Sequence, residues 1–446
     1  MKRGGGAEGR RGRLVVRCGP VLAVVLVAAG SLHAQDTVRV GITYRPGVRP
    51  GLVVLPAPGL DSVQGIVARD LDYSDRFEVI PLTQPAPGQG STGGSNPTIN
   101  YAYFRALGAE LAVDLAPATG TFVRMRLYDL AAEQVRGELV LPVDRSGSGE
   151  GRMSIHALSD EIVRLATGQP GIAATRVLFL NNEDRRIWRV DSDGGGLAPV
   201  TPAGTEAISP AWSPDGSKFA YSQLLKDGSK PIIVQTVSSG TRTVLPSTAA
   251  SQNITPAFSP DGKSLLFARM SDAGARLYVV NVQDLCCVEP LTSGRFAENF
   301  SPAYSPDGRR VVFVSTRAGG QQIYTMAPDG TDQELLVPFD YGQTGNSNAP
   351  EWSPDGTTIA FHREVGGTPQ VWIFDLAGRR PKQLTSSGRN EDPSWAPDSR
   401  HLVFVSNRTG RRQLFVVDTE TNRVRQIMTP ATSRLPAWSR SLSRTH

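Results

Sequence analysis

Ser209-Pro210-Ala211-Trp212-Ser213-Pro214-Asp215-Gly216 is the stretch on which the reading of this chain turns, because it comes back down the second half of the sequence. Its last four residues recur as Ser259-Pro260-Asp261-Gly262, Ser305-Pro306-Asp307-Gly308 and Ser353-Pro354-Asp355-Gly356, then in altered form as Ala396-Pro397-Asp398-Ser399. The five aspartates are spaced 46, 46, 48 and 43 residues apart. Each turn follows a Pro-x-aromatic step: Pro210/Trp212, Pro256/Phe258, Pro302/Tyr304, Pro350/Trp352 and Pro393/Trp395. A period of about 40–50 residues is that of one four-stranded propeller blade. Proline suits the second position of a type I turn, aspartate bonds the local backbone, and glycine accepts positive φ. Apolar strands follow at Lys218–Tyr221, Ser264–Phe267, Arg310–Phe313, Thr358–Phe361 and His401–Phe404.

A sixth copy, Pro436-Ala437-Trp438-Ser439, has almost nothing after it. Its missing strands are expected at Arg176–Leu180, Arg186–Val190 and Leu197–Thr201, just ahead of the first full repeat. Pairing the C-terminal strand with these closes the ring and removes the open sheet edge that makes all-β proteins sticky. The expected fold class is mainly β: a six-bladed β-propeller over residues 169–446, preceded by a small α/β domain.

Residues 1–34 are expected to be a cleavable signal peptide. Lys2, Arg3, Arg10, Arg11, Arg13 and Arg17 form a basic region, and Val21 to Ala29 is an apolar core short for a bilayer span. Leu32-His33-Ala34 ends in a small residue. The leader carries six of the 47 basic residues and one of the 42 acidic ones, leaving 41 of each. No basic stripe then points to nucleic acid or an anionic membrane surface. Of three cysteines only Cys286 and Cys287 remain, and as strand neighbours they would point to opposite faces as partly buried thiols, a strained vicinal disulfide being the alternative.

The N-terminal domain, residues 35–168, is expected to open on a buried strand, Gly51–Pro56, followed by a helix capped by Asp61 and a short strand, Phe77–Pro81. Gln84–Pro97 reads as a surface loop, and Asn100 as the cap of a second helix. Strands at Glu110–Leu115, Phe122–Leu127 and Val135–Val143 and a helix at Ser154–Thr167, stopped by Gly168, complete it.

Catalytic signals are thin. The turn aspartates sit at the same corner of separate blades and cannot converge on one substrate. His156, His362 and His401 have no Cys or His at metal-ligand spacing, and there is no nucleophile elbow or phosphate loop. No metal, cofactor or catalytic residue is expected; the best acid/base pair a sugar-active propeller could muster is Glu206 with Glu391. Polar residues instead gather just before each Pro-x-aromatic, where inner strands begin at one mouth of the channel: Glu206, Asn253, Arg295, Glu298, Asn299, Asn346, Asn348, Arg389, Asn390, Glu391 and Arg434. Such a ring of donors and acceptors suits a protein partner.

The junction Ser159-Asp160-Glu161-Ile162 through Leu165-Ala166-Thr167-Gly168-Gln169-Pro170-Gly171-Ile172-Ala173-Ala174-Thr175-Arg176 resembles the connector of the TolB family, periplasmic propellers of the Tol–Pal system. Asp193-Gly194-Gly195 with the Ser209–Gly216 stretch is similar to that family's first blade. Asp70–Phe77 and Tyr103–Ala109 are similar to its N-terminal helices, so the likeness runs over essentially the whole chain after residue 34. Arg45–Gly51 and the insertion Gln84–Pro97 depart from the family pattern. The resemblance implies a non-enzymatic periplasmic monomer, without membrane insertion, that supports outer-membrane integrity and constriction at cell division. It implies that the propeller mouth binds the lipoprotein Pal. It also implies that the segment Gln35, Thr37, Val38, Arg39, Val40 and Ile42 pairs with the C-terminal domain of TolA by strand addition. A TolB-like propeller with another protein partner is the competing reading.

Overall fold

The computed structural model describes residues 48–82, 99–293, 297–337 and 345–442. The expected leader, the TolA-pairing segment Gln35–Thr43, the Gln84–Pro97 loop and Arg295 lie outside them.

In the N-terminal domain five strands form one sheet in the order β2-β1-β3-β4-β5. These are β1 (Gly51–Val54), β2 (Glu78–Val79), β3 (Ala109–Pro117), β4 (Phe122–Asp129) and β5 (Gln134–Pro142). Strand β1 runs parallel to β2 and β3, while β3, β4 and β5 are antiparallel. Alternation along β4 sends Val123, Met125 and Leu127 to a core shared with α1 (Asp61–Tyr73) and α3 (Gly149–Thr167), which contribute Val67, Leu71, Leu158 and Ile162. The short α2 (Tyr101–Ala106) covers part of the other face through Phe104, packed with Val53, Leu55 and Tyr128. Full burial of a side chain such as Phe104 contributes about 1.5–3 kcal/mol.

Two helix starts differ from the sequence expectation. Asp61 is the first helical residue of α1, not its cap. Helix α3 begins at Gly149, five residues before Ser154, because the Ser148 hydroxyl accepts the Gly151 N–H at 2.9 Å and sets the cap upstream. Asn100 does cap α2, accepting from the Tyr103 N–H at 3.0 Å, and Gly168 ends α3 at φ 73°.

Six four-stranded sheets follow. Their innermost strands are Glu206–Trp212, Ser251–Phe258, Asn299–Tyr304, Ser347–Trp352, Asn390–Trp395 and Ser433–Trp438. The last is paired not with its predecessor but with Arg176–Asn181, in the register Ser433↔Asn181 through Trp438↔Val177. The strap continues past the strand: Ser439 and Arg176 exchange two hydrogen bonds of 2.9 Å, and the Leu442 N–H reaches the Ala174 carbonyl at 2.8 Å. The ring is closed as expected.

The repeated turns explain themselves locally. In four copies the serine hydroxyl donates to the aspartate at 2.5–2.6 Å and accepts the N–H of the residue five places on at 2.9–3.0 Å. Each glycine takes φ between 67° and 75°. Each inner strand also carries a bulge that sequence reading did not supply. Ser209, Thr255, Ser301, Ala349, Asp392 and Leu435 all have φ of 50–54°, each directly before its proline and inside a register shift. The left-handed conformation costs a non-glycine residue roughly 1–2 kcal/mol. Proline is tolerated there because the innermost strand is an edge with no partner on the channel side.

The fifth turn departs in sequence, and the structure shows why. Alanine replaces serine at 396, so Asp398 turns instead to His401 Nδ1 (2.7 Å) and to Arg76 of the N-terminal domain (3.6 Å). His401 Nε2 meets Asp75 at 3.2 Å, Arg400 donates to the Asp75 carbonyl at 3.1 Å, and Arg423 pairs with Asp75 at 2.7 Å. These contacts fasten the end of α1 to the fifth blade. A second joint is the junction itself, where the Asp160 carboxylate accepts the N–H groups of Ala173 and Ala174 at 2.8 and 2.9 Å.

Candidate functional site

Bulge geometry sorts the polar residues at the strand starts into two sets. Residues three places before the proline are buried in every blade: Ala207, Asn253, Asn299, Ser347, Asn390 and Ser433. Those two places before it are half-buried on the innermost strands: Ile208, Ile254, Phe300, Asn348, Glu391 and Arg434.

Asn253, Asn299 and Asn390 therefore do not present their amides at the surface. Asn253 Oδ1 accepts from Arg269 Nε (3.0 Å), Asn299 Oδ1 from Arg317 (3.2 Å) and Asn390 Oδ1 from Arg408 (3.1 Å). Each arginine lies over the rings of its own blade, Arg269 at 4.7 Å from Tyr278, Arg317 at 4.7 Å from Tyr324 and Arg408 at 5.0 Å from Phe415. The asparagines hold these guanidinium groups in place. Chain alternation along the strand could have found this, since residues at −3 and −2 from a fixed proline must face opposite ways.

The remaining residues form the rim. Glu206 is exposed and paired with Arg185 at 2.9 Å. Glu298 is exposed. Asn346 accepts from the Gln321 N–H at 3.0 Å and donates to Glu364 at 3.2 Å, and Asn348 donates to Gln321 at 2.7 Å. Glu391 sits between Arg389 and Arg412, 3.2 Å from each. Arg434, on the neighbouring strand, has a buried Nε without a hydrogen-bond partner among the described residues. The half-buried ring is thus apolar on the first three blades and polar or charged on the last three. Sequence reading missed Arg412 and Asp392, and weighed His362 only as a catalytic or metal-binding histidine. His362 accepts the Asp392 N–H at 3.2 Å, and burial lowers its pKa.

The other end of the channel has a different character. A cavity of about 510 Å³ is walled by Trp212, Phe258, Tyr304, Trp352, Trp395 and Trp438. Glu351 is in its wall, and burial pushes its pKa up to about 7 although the Trp395 N–H donates to it at 3.2 Å.

Two carboxylate–histidine clusters have the composition of metal ligands: Asp70, His156 and Asp193, and Asp75, His401 and Asp418. Both already contain a cation of the protein. Arg152 pairs with Asp193 at 2.7 Å and Arg400 with Asp418 at 2.7 Å. They read as ion-pair networks under the propeller. Glu206 and Glu391 stand on different blades, each tied to arginine.

Closed ring, turn-built corners and a rim of mixed polarity define a six-bladed propeller scaffold. A family model for the TolB beta propeller domain matches residues 163–442. The chain belongs to the TolB family. It is 34% identical to the Tol-Pal system protein TolB of Polaromonas sp. (strain JS666 / ATCC BAA-500), over 52% of this chain and 54% of that protein. It is 30% identical to the protein of the same description from Methylococcus capsulatus, over 49% and 52%. The chain spans about half the length of the curated relatives it matches. The crystal structure of TolB from Acinetobacter baumannii superposes with a TM-score of 0.76 at 27% identity, covering 89% of this chain and 98% of that one. Hydrazine synthase from Kuenenia stuttgartiensis shares the fold alone, at 15% identity and TM-score 0.51 over 67% of this chain and 50% of that chain. Among the described residues no helix is long and apolar enough to cross a membrane.

Proposed function

We propose that this chain is a non-catalytic periplasmic adaptor of the Tol–Pal cell-envelope system, exported by a leader at 1–34 and built of domains at 35–168 and 169–446. Its propeller mouth holds Pal, and its segment Gln35–Thr43 adds a strand to TolA. The role is to maintain the outer membrane and its constriction during division. The observation that carries the Pal contact is the half-buried ring of a TolB-family propeller, apolar on blades one to three and polar or charged on blades four to six, where Arg389 and Arg412 join Asn348, Glu391 and Arg434. Charged groups so arranged set orientation and on-rate, while the apolar half supplies area.

Titration of the chain starting at Gln35 with Pal from the same organism tests this. Saturable binding at micromolar concentration, weakened at least tenfold by Arg389→Glu with Arg434→Glu, supports it. No binding with both proteins folded removes Pal as the partner and leaves a propeller with a different one. Turnover of a glycoside panel that is lost in Glu391→Gln would replace the adaptor reading with an enzymatic one.

A further inference from the structure

Cys286 and Cys287 do not lie on a strand with opposed side chains. They occupy the turn between Gly274–Asn281 and Glu289–Pro290, the third and fourth strands of the second blade, and both are exposed. Leu285 and Cys287 take φ of 53° and 60°. An extended chain would alternate the two side chains, but the left-handed Cys287 brings its thiol to the same side as that of Cys286. The sulfurs are 2.7 Å apart. The turn is otherwise well tied: the Cys286 N–H donates to Asp284 at 3.1 Å, the Gln283 N–H to Asn281 at 2.8 Å, and Leu285 is buried in the blade core.

We propose that Cys286 and Cys287 form a two-electron redox site, closed to a vicinal disulfide by a small or protein-borne disulfide oxidant. The site stands apart from the Pal reading. The Val282 N–H bonds the Lys263 carbonyl, which places the turn beside Ser259–Gly262, at the opposite end of the blade from Asn253. One of the two cysteines, as its thiolate, attacks one sulfur of the oxidant and expels the other half as a thiolate, which takes up a proton. The sulfur of the other cysteine then displaces the second half, which leaves as a thiolate and takes up a proton, while that cysteine's own proton goes to solvent. One oxidant disulfide becomes two thiols as two cysteine thiols become one disulfide. An eight-membered ring across one peptide bond is strained, and exposed strained disulfides are the reducible ones. The couple is therefore reversible.

The test uses the full chain carrying Cys18→Ser, treated with oxidised glutathione and read by intact mass and iodoacetamide labelling. The expected product has lost two hydrogens, resists labelling at both cysteines and is restored by dithiothreitol. It exceeds the glutathionylated form at least about tenfold, because the second thiol is held beside the first. Cys286→Ser and Cys287→Ser each stop at one bound glutathione with unchanged melting temperature. Stable glutathione adducts on the parent chain, or free labelling of both cysteines where the single variants are glutathionylated, overturn the proposal.

Discussion

Trp438 donates its indole N–H to the Thr175 hydroxyl at 2.7 Å, joining residues 263 positions apart in the chain. Trp438 also packs with Val177, Phe179, Val403 and Val405, so one side chain bridges the sixth blade to the fifth. Trp438→Ala is expected to cost about 3–5 kcal/mol, and truncation after Gln426 to abolish cooperative melting altogether. Thermal unfolding followed by circular dichroism, with limited proteolysis of the truncated chain, checks both. An equally heat-resistant truncated monomer would show that closure is dispensable.

The contact between His401 and Asp75 makes domain attachment depend on pH. Burial alone would lower the histidine pKa, but the charges and hydrogen bonds of Asp398 and Asp75 outweigh it and raise it from 6.5 to about 9. A raised histidine pKa stabilises the fold fully below pH 6.5 and loses that contribution as pH rises through about 9. Wild-type stability should fall by up to a few kcal/mol over this window. His401→Gln should flatten the slope, and hydrogen exchange should show faster opening around Asp75 at high pH in the wild type only.

Glu351 acts in the same direction over a lower pH window. Burial raises its pKa from 4.5 to about 7, so the folded chain binds a proton that the unfolded chain has released. Stability is lost as pH rises from 4.5 to about 7. Glu351→Gln keeps an acceptor for the Trp395 N–H and should raise the melting temperature at pH 8 while leaving it unchanged at pH 4. A variant destabilised at both pH values would contradict this.

Gly171 is required by the junction. A Cβ there would lie 2.1 Å from Asp160 Oδ1 and 2.8 Å from the Asp160 Cα. Gly171→Ala should force the carboxylate away from the Ala173 and Ala174 N–H groups and cost about 1–3 kcal/mol. Denaturant titration of the variant, alone and combined with Asp160→Ala, gives the coupling; additive losses would mean that the two residues act separately.

At the mouth, buried and exposed residues should separate by assay. Asn253→Ala removes the hydrogen-bond acceptor of Arg269, and Asn299→Ala removes one of three acceptors of Arg317, beside Ser315 and Gln333; each should lower stability, by about 1–3 kcal/mol for Asn253 and less for Asn299. Arg389→Ala and Asn348→Ala should leave the melting temperature within about a degree of wild type, being peripheral changes, and weaken Pal binding. Loss of Pal binding in a fully stable Asn299→Ala variant would assign that amide to the partner contact instead.

Turn chemistry and periodicity were legible in the chain because they are local. Ser213, Pro214, Asp215 and Gly216 satisfy one another within five residues, and the spacing of their copies counts the blades. Even the missing strands of the sixth unit could be located, since only Arg176–Thr201 remained to supply them. The departure at Ala396 was visible too, but its meaning was not. Asp398 meets Arg76 across more than 300 residues, and no periodic signal carries such a contact.

Sequence alone therefore determined the six repeats, their turns and the closing strand, because each follows from backbone preferences over a few residues and from the need to leave no open edge. Tertiary structure decided which polar side chains look outward. A left-handed residue before each proline sets the register, hiding Asn253, Asn299 and Asn390 against arginines while leaving Asn348, Glu391 and Arg434 half-exposed. The same conformation at Cys287 puts two thiols side by side where an extended strand would have parted them.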